Sequence, residues 1–384
     1  MHLTSFSRHA GVNCNRGKIM NFNRAVIKVG SALVSPDAKG CSGTYLLAIA
    51  RFITECQQAG KEIILVSSGS VSAGRKLIQH GSPELSIPTK QAMASVGQMQ
   101  MMANWQRFFD VPCSQLLITH ADLKSRERYI NIKNTLRILL ANNVIPIVNE
   151  NDTVATDELK VGDNDNLAAL VALVSDADCM FILSDVNGVY DQDPRNNPNA
   201  VLIPEIDEIT DEIYVMAGTT NNPIATGGMK TKIQAAEKAV ENGIETYILN
   251  GHNSEIFDAL LKGENPGTRF KANRTAIKAR KHWLKHTLKS HGKVSLDSGA
   301  VNAVVNKGAS LLPSGVVHVN GDFAAGESIH IIDSKSQQII AKGICQYSQR
   351  DLLRIKGCKS KDITNILGCC PSKVVIHRDD MVIL

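Results

Sequence analysis

The chain has 384 residues, of which 43% are apolar and 21% charged. This is the composition of a folded globular protein long enough for two domains. Apolar runs are only strand-sized and the first twenty residues lack the apolar stretch of a secretory signal, so we expect no membrane span and predict a cytoplasmic protein. The net charge of +5 is local, because residues 269–291 contain eight Lys and Arg and no acidic residue.

The predicted elements begin after residues 1–20, an extension that we expect to be disordered. Short β-rich runs then alternate with helical stretches, which predicts an α/β fold with a parallel sheet covered on both faces. The predicted strands are Arg24 to Val29, Glu62 to Ser67, Cys113 to Thr119, Val144 to Asn149, Asp178 to Ser184 and Glu245 to Asn250. The predicted helices are Tyr45 to Gln58, Lys90 to Phe109, Lys124 to Ala141, Asn166 to Ser175 and Thr231 to Asn242.

Polar residues lie at or just after the ends of the first two strands. Lys28 interrupts the first strand; a buried lysine there needs an anionic partner, whereas one at the strand's end can reach solvent. The second strand runs into a loop of small residues, 67–74, whose amides and hydroxyls could surround a carboxylate or phosphate. Ligands of open α/β sheets bind at the carboxyl ends of the strands, so the position and the chemistry of these residues agree.

The most polar segment, residues 149–166, reads NENDTVATDELKVGDNDN and lies between two apolar runs. A hydrophobic core could not accommodate so many carboxylates and amides, so we interpret this segment as a binding site. The carboxylates of Asp152 and Asp165 suit either Mg²⁺ or a substrate ammonium group. Asp157 and Glu158 are interpreted as solvated loop charges.

A second polar segment, residues 226–232, reads TGGMKTK and opens a predicted helix. Glycines, hydroxyls and cations at a helix start suit an anion such as a nucleotide phosphate. The chain has no Walker A loop. The triplet at 377–379 matches the protein-kinase HRD motif by coincidence, because the Asn and DFG that should follow it do not fit before Leu384. The two polar segments together predict an ATP-dependent kinase that acts on an amino acid.

The pattern of predicted elements changes near Gly292, where short strands and glycine turns predict a small β-rich domain. The basic segment 269–291 is interpreted as a solvated linker, with RNA contact as the alternative. The tail from residue 292 carries eleven Lys and Arg against eight Asp and Glu. We therefore favour a structural or oligomerising role for the tail over RNA binding.

Seven segments occur in an order that resembles one known family. They are VIKVGS, VSSGSVSAG, NENDTVATDELKVGDNDNLAA, SDVNGVY, TGGMKTKIQAA, GASLLPSGV and HRDD. The chain thus resembles the glutamate 5-kinase family, amino acid kinases with a C-terminal PUA domain. The resemblance implies an amino-acid-kinase-like αβα sandwich with a mainly parallel central sheet over residues 21–268. A linker over 269–291 and a PUA-like domain over 292–384 would follow.

The resemblance also implies roles for individual residues. Lys28 and Lys232 would contact the transferring phosphoryl group from opposite sides, and Asp163 would orient both lysines. The implied glutamate-binding residues are Ser68, Asn149, Asp152, Asn164 and Asp165, with Asp165 near the substrate ammonium. The implied ATP-binding residues are Lys28, Ser184, Asp185, Thr226, Gly227, Gly228, Met229, Lys230, Thr231 and Lys232. No residue is assigned as a metal ligand, because Mg²⁺ would be held mainly by the ATP phosphates.

The implied reaction is ATP-dependent phosphorylation of the L-glutamate γ-carboxylate to L-glutamyl 5-phosphate, the first step of proline biosynthesis. A glutamate carboxyl with a reference pKa of about 4.3 is already ionised near neutrality, so the nucleophile needs no general base. Catalysis would rest on positioning and charge neutralisation. The family further implies inhibition by proline, a homo-oligomer, and hand-over of the product to glutamyl phosphate reductase. The alternative within the same fold is that this chain acts on aspartate, N-acetylglutamate, carbamate or a nucleotide, and the GDNDN segment and the PUA-like tail argue against each of these.

Overall fold

In a computed structural model of the chain, the described residues are 21–37, 40–79, 85–155, 164–217, 228–272 and 290–384. The predicted extension 1–20 and most of the basic linker lie outside them. So do the predicted site residues Asp163, Thr226 and Gly227, and the loop charges Asp157 and Glu158.

The larger part of the chain is built on one twisted sheet. Its strands are β1 (Arg24–Val29), β2 (Glu62–Ser67), β3 (Cys113–Ile118), β4 (Ile145–Glu150), β5 (Cys179–Ser184), β6 (Glu205–Ile206), β7 (Glu245–Asn250) and β8 (Thr268–Phe270). In the described residues these eight strands lie in the order β3-β4-β2-β1-β5-β7-β8-β6. Neighbouring strands run parallel, except that β8 is antiparallel to β7. The predicted mainly parallel sheet is confirmed.

Helices cover both faces of this sheet. They are α1 (Ser31–Val34), α2 (Leu46–Gln58), α3 (Ser70–Gly74), α4 (Ile87–Gln106), α5 (His120–Lys124), α6 (Arg126–Ala141), α7 (Asn164–Val174), α8 (Asp211–Met216), α9 (Met229–Glu241) and α10 (Glu255–Leu261). In β1, Ile27 packs with α2, α4 and α10 on one face, whereas Val26 packs with α6, α7 and α9 on the other. Burial of both faces explains why these strands are continuous apolar runs.

The structure moves one predicted helix boundary and adds one unpredicted helix, and local capping explains both. The helix predicted from Lys90 begins at Ile87, because the Ser86 hydroxyl accepts a hydrogen bond from the Thr89 amide. The helix predicted over 124–141 is α6, which is two residues shorter at its start, and α5 precedes it as an unpredicted helix. Thr119 and Asp122 form a reciprocal capping box that starts α5 as a separate short helix.

The C-terminal part forms a second, smaller sheet. Its strands are β9 (Gly292–Leu296), β10 (Val316–Gly321), β11 (Ser328–Asp333), β12 (Ile339–Ile344) and β13 (Met381–Ile383), in the order β10-β9-β11-β12-β13. Helices α11 (Ser298–Val305), α12 (Gln349–Ile355) and α13 (Ile363–Leu367) accompany it. The sheet has its own buried core, including Ile329, Leu352 and Val375, so the predicted β-rich C-terminal domain is confirmed.

The two parts contact each other through α6. Lys133 on α6 forms a buried ion pair with Asp380, 2.8 Å from Nζ to Oδ1. Arg137 on the next turn contacts the other oxygen of the same carboxylate at 3.2 Å. Ile130 packs against Ile344 and Val382 beside this polar contact. The C-terminal domain is therefore fixed to the larger part by both apolar and ionic contacts.

Candidate active site

The carboxyl ends of four neighbouring strands bring the predicted site residues together. Asn149 lies near the end of β4, Ser68 follows β2, Lys28 lies near the end of β1, and Ser184 ends β5. Because β4, β2, β1 and β5 are consecutive in the sheet, these side chains occupy one edge in that order. The strand residues predicted to bind the amino acid thus lie on one side of Lys28, and the strand residue predicted to bind the nucleotide lies on the other.

At the centre of this edge, Asp165 joins two lysines from distant parts of the chain. Its Oδ1 is 2.7 Å from Lys28 Nζ, and its Oδ2 is 3.1 Å from Lys232 Nζ. The Thr231 hydroxyl donates to Oδ2 at 3.0 Å. Asp165 stands in the first turn of α7 and Lys232 in the first turn of α9, two helices that pack on the same face of the sheet. The fold therefore concentrates two cations around one carboxylate.

Burial makes the ion pairs around Asp165 strong. The three side chains are almost inaccessible, with 8% of Lys28, 6% of Lys232 and 3% of Asp165 exposed. Burial alone would raise the pKa of the Asp165 carboxyl, but the adjacent lysines outweigh it and hold that pKa well below its usual range. Asp165 is therefore ionised at neutral pH and compensates part of the lysine charge.

Three predicted glutamate-binding residues form one hydrogen-bonded network. The Asn164 Nδ2 group donates to the Ser68 hydroxyl at 2.7 Å and to Asn149 Oδ1 at 2.9 Å. Asn149 Oδ1 also accepts from the backbone amide of Glu150 at 2.9 Å. Gly69, which follows Ser68, has a φ of +107°, a left-handed conformation that suits glycine. This turn connects β2 directly to α3 and places Ser68 at the sheet edge.

The fourth predicted residue, Asp152, lies beside this network and is held by α3. The Ser70 hydroxyl donates to Asp152 Oδ2 at 2.6 Å. Burial raises the pKa of the Asp152 carboxyl; the Ser70 hydrogen bond opposes this effect, and the charge of Glu150 adds to it. A carboxylate in this state would be stabilised by a nearby cation.

The nucleotide side is formed by the end of β5 and the start of α9. The Ser184 hydroxyl donates to Asp185 Oδ1 at 3.0 Å, and Asp185 is exposed. Helix α9 starts after Gly228, has no acidic residue in its first turn, and has no side chain bonded to its N-terminal amides at the cap. The positive end of its dipole therefore points, with Lys232, to a region suited to an anion. Met229 and Lys230 belong to the same turn, where Lys230 is exposed.

The structure differs from the sequence interpretation on the bridging carboxylate. Asp165, which we expected at the substrate ammonium, contacts both lysines, the arrangement expected of Asp163. Two acidic residues so close in sequence cannot be assigned to separate partners without knowing where α7 begins, and it begins at Asn164. The role of Asp163 stays a prediction, since that residue lies outside the described chain.

Two site residues escaped the sequence interpretation. Ser70 belongs to a recognised small-residue loop, so its neighbourhood was visible even though its partner was not. Gln98 Oε1 accepts from Asn149 Nδ2 at 2.9 Å. Gln98 lies on a helix that carried no functional signal, more than fifty residues before Asn149. Only the three-dimensional packing of α4 brings it to the site.

The described residues lack two other kinds of feature. Over the ranges that the structure describes, no group of three or more His, Cys, Asp or Glu side chains is arranged to hold a metal ion. Across the same ranges, no helix is both long enough and apolar enough to cross a bilayer.

Sequence comparisons agree with the site. A profile of the amino acid kinase family matches residues 23–250, and a PUA domain profile matches residues 292–367. The chain is 51% identical over 367 residues to a glutamate 5-kinase of Idiomarina loihiensis, covering 96% of this chain and 99% of that one. It is 52% identical over 367 residues to a glutamate 5-kinase of Salinibacter ruber, covering 94% and 98% of the two chains. The chain therefore belongs to the amino acid kinase family.

Within that family, the two alignments cover nearly the whole of this chain and of each relative, which places the chain with the glutamate 5-kinases. Among solved structures, the UMP kinase of Bacillus anthracis is similar at a TM-score of 0.46 and 12% identity, covering 66% of this chain and 98% of that one. That similarity is too distant to carry an argument about the site.

Proposed function

We propose that this chain transfers the γ-phosphoryl group of ATP to the γ-carboxylate of L-glutamate, giving L-glutamyl 5-phosphate. The observation that carries the proposal is the buried Lys28–Asp165–Lys232 cluster. It lies between a polar network suited to an amino acid and a helix start suited to phosphates. The proposed reaction is the one for which the relatives at about half identity are named.

The hydrogen bonds within the network determine what it can offer to an amino acid. Because Asn164 donates through Nδ2, its Oδ1 is directed elsewhere and can accept from an ammonium group. The Ser68 oxygen accepts from Asn164, which leaves its own hydrogen to donate to a carboxylate. The Asp152 carboxylate, whose ionised form is disfavoured by burial, would be stabilised by the substrate's α-ammonium. Ser68, Asn164 and Asp152 thus supply the donors and acceptors that a zwitterion requires.

The transfer step brings an anionic carboxylate to a polyanionic phosphate chain. The side chains of Lys28 and Lys232 would lower the repulsion between the two and stabilise charge on the transferring phosphoryl group. Asp165 keeps both ammonium groups directed to the same point. The amides at the start of α9 would hold the phosphates, with Ser184 and Asp185 nearer to the nucleoside. The γ-carboxylate attacks directly, so no side chain has to remove a proton.

Mg²⁺ fits this arrangement as a companion of ATP. The described residues supply no cage of carboxylates, and the Asp165 oxygens already contact lysines. Bound Mg²⁺ usually keeps several waters and takes much of its coordination from phosphate oxygens. It would supply further neutralisation of the phosphate charge.

Three further proposals rest on the family resemblance. Proline would inhibit the enzyme at or near the glutamate pocket. The chain would form a homo-oligomer in the cytoplasm. The acyl phosphate, which hydrolyses readily, would pass to glutamyl phosphate reductase.

The function can be tested by trapping the acyl phosphate with hydroxylamine in the presence of ATP and Mg²⁺. We expect hydroxamate from L-glutamate but not from aspartate or N-acetylglutamate, and less of it when proline is added. Lys28→Ala and Lys232→Ala should each lower kcat by about 10²–10³-fold, with a smaller change in the KM for glutamate. Lys262→Ala, which replaces an exposed lysine, is the control. Full activity in either site variant would contradict the proposed mechanism. If a different acid were turned over and L-glutamate were not, that acid would be the substrate.

A further inference from the structure

Gln98 is a buried polar residue to which the proposed mechanism gives no role. It lies in the middle of α4, and only 6% of its surface is exposed. Its Oε1 accepts a hydrogen bond from Asn149 Nδ2 at 2.9 Å. Asn149 is itself buried and bonded to Asn164. Gln98 is therefore linked through Asn149 to Asn164, a residue that would contact the amino acid.

The backbone fixes the polarity of this chain of amides. The Glu150 N–H can only donate, and it donates to Asn149 Oδ1. The other end of the Asn149 side chain must then be Nδ2, a donor, so the Gln98 atom facing it must be the acceptor Oε1. Asn164 must likewise present Nδ2 to Asn149 Oδ1. The orientation of each amide thus follows from one backbone group.

Packing alone does not account for a glutamine at this position. Gln98 Nε2 is buried and has no hydrogen-bond partner within the described part of the chain. A buried donor without an acceptor costs about 1–3 kcal/mol. An apolar side chain of similar length would fill the same space and remove this cost, but it would leave Asn149 Nδ2 without its acceptor, so the amide is kept for its hydrogen bond to Asn149.

We propose that Gln98 is a positioning residue for the amino-acid substrate, an inference that rests on the function proposed above. Gln98 and the Glu150 amide hold the Asn149 side chain from its two ends. If Gln98 Oε1 is removed, Asn149 Nδ2 loses its acceptor and the side chain can turn. Asn164 Nδ2 then loses one of its two acceptors and keeps only the Ser68 hydroxyl, so the orientation of Oδ1 toward the substrate ammonium is held less firmly. The phosphate-binding residues on α9 do not belong to this network.

The test compares Gln98→Met with Gln100→Met. Methionine matches glutamine in length and adapts to irregular cores, and Gln100 is an exposed glutamine on the same helix. For Gln98→Met we expect the KM for glutamate to rise at least ten-fold, while the KM for ATP stays within two-fold and kcat within three-fold. Gln100→Met should match the wild type in all three constants. Gln98→Leu provides the same comparison if Gln98→Met does not fold.

Gln98→Glu distinguishes positioning from simple loss of packing. A carboxyl oxygen can still accept from Asn149, so the KM for glutamate should stay within about three-fold of the wild type. The proposal is overturned if Gln98→Met behaves like Gln100→Met, if the two KM values rise together, or if Gln98→Glu is as impaired as Gln98→Met. Failure of the proposed function itself would look different, because the wild type and Gln100→Met would also be inactive on glutamate.

Discussion

Asp165 contacts two buried cations, and its replacement should affect stability as well as rate. Asp165→Asn removes the carboxylate from the Lys28 and Lys232 ion pairs but preserves the shape of the side chain. Breaking a buried ion pair costs about 3–5 kcal/mol, so we expect a loss of that order in the free energy of unfolding, measured with urea at pH 7. Asp207→Asn, which alters an exposed ion pair with Lys271, should change it by less than about 1 kcal/mol.

The same contribution should depend on pH with a definite sign. The pKa of Asp165 is lower in the folded protein than the usual value of about 3.9. Its stabilising effect is therefore complete above that usual value and is lost as the pH falls below it. The difference in stability between the wild type and Asp165→Asn should be largest near neutrality and shrink on acidification below about pH 4. A difference that grew on acidification would contradict the ion-pair account.

Individual residues of the site were predictable where unusual chemistry stands beside a recognisable strand or helix. Lys28 was visible as a cation in an apolar strand, and Lys232 as a cation at a helix start. Gln98 was not, because a glutamine in a helix is ordinary until its neighbour in space is known. The unexpected lysine contacts of Asp165 have a related cause: a shift of two residues near a helix start points a side chain in a different direction.

Among the elements, α3 and α4 show an unusually close contact. A Cβ atom on Gly97 would lie 1.9 Å from the Ser70 carbonyl oxygen, and one on Gly74 would lie 1.9 Å from the Met93 carbonyl oxygen. The two helices can therefore approach only because both positions are glycine. This contact sets the position of Ser70, which holds Asp152, relative to Gln98.

Gly97→Ala should force these two helices apart. Overpacking a rigid contact costs about 1–3 kcal/mol, and the obstructing atoms here belong to the backbone, so we expect the upper end of that range. Because Ser70 moves with α3, the KM for glutamate should also rise. Thermal unfolding and steady-state kinetics measure the two effects. Ser95→Ala on the exposed side of α4 should leave both unchanged, and an unchanged melting temperature in Gly97→Ala would refute the close contact.

The long strands could be predicted from the sequence, and the short strands could not. Six strands were predicted with boundaries within a residue, because most of them are buried on both faces and largely apolar; the edge strand β3 is partly exposed but was also found. Strands β6 and β8 have two and three residues, too few for any periodicity to show. β8 also extends beyond residue 268, the predicted end of the catalytic domain. Its position is determined by pairing with β7 and not by the composition of the segment.

For the whole molecule, the contact between the two domains accounts for one residue of the HRDD segment. Asp380, the last residue of that segment, pairs with Lys133 and Arg137, whereas Asp379 is half exposed and pairs with its sequence neighbours His377 and Arg378. Lys133 also contacts Asp176, just beyond the end of α7. Helix α7 thus carries site residues at its start and is followed by a residue that contacts Lys133, the lysine that pairs with the C-terminal domain.

Asp380→Ala should weaken the attachment of the C-terminal domain. It removes the carboxylate that pairs with two cations of α6, a change we expect to cost about 3–5 kcal/mol because the group is buried. In calorimetry the unfolding of the two domains should separate, with the C-terminal domain melting first. Asp379→Ala should retain the wild-type profile. Identical profiles for the two variants would show that the apolar contact of Ile130 is sufficient.

The ion pairs of Asp165 have an evolutionary consequence. Buried clusters of charge can often be replaced by apolar side chains with a gain of about 1–4 kcal/mol, and such a replacement would here remove both cations proposed for phosphoryl transfer. Charges already fixed by the fold need little rearrangement as the reaction proceeds. Selection for a more stable protein and selection for a faster enzyme therefore act in opposite directions on the same three residues.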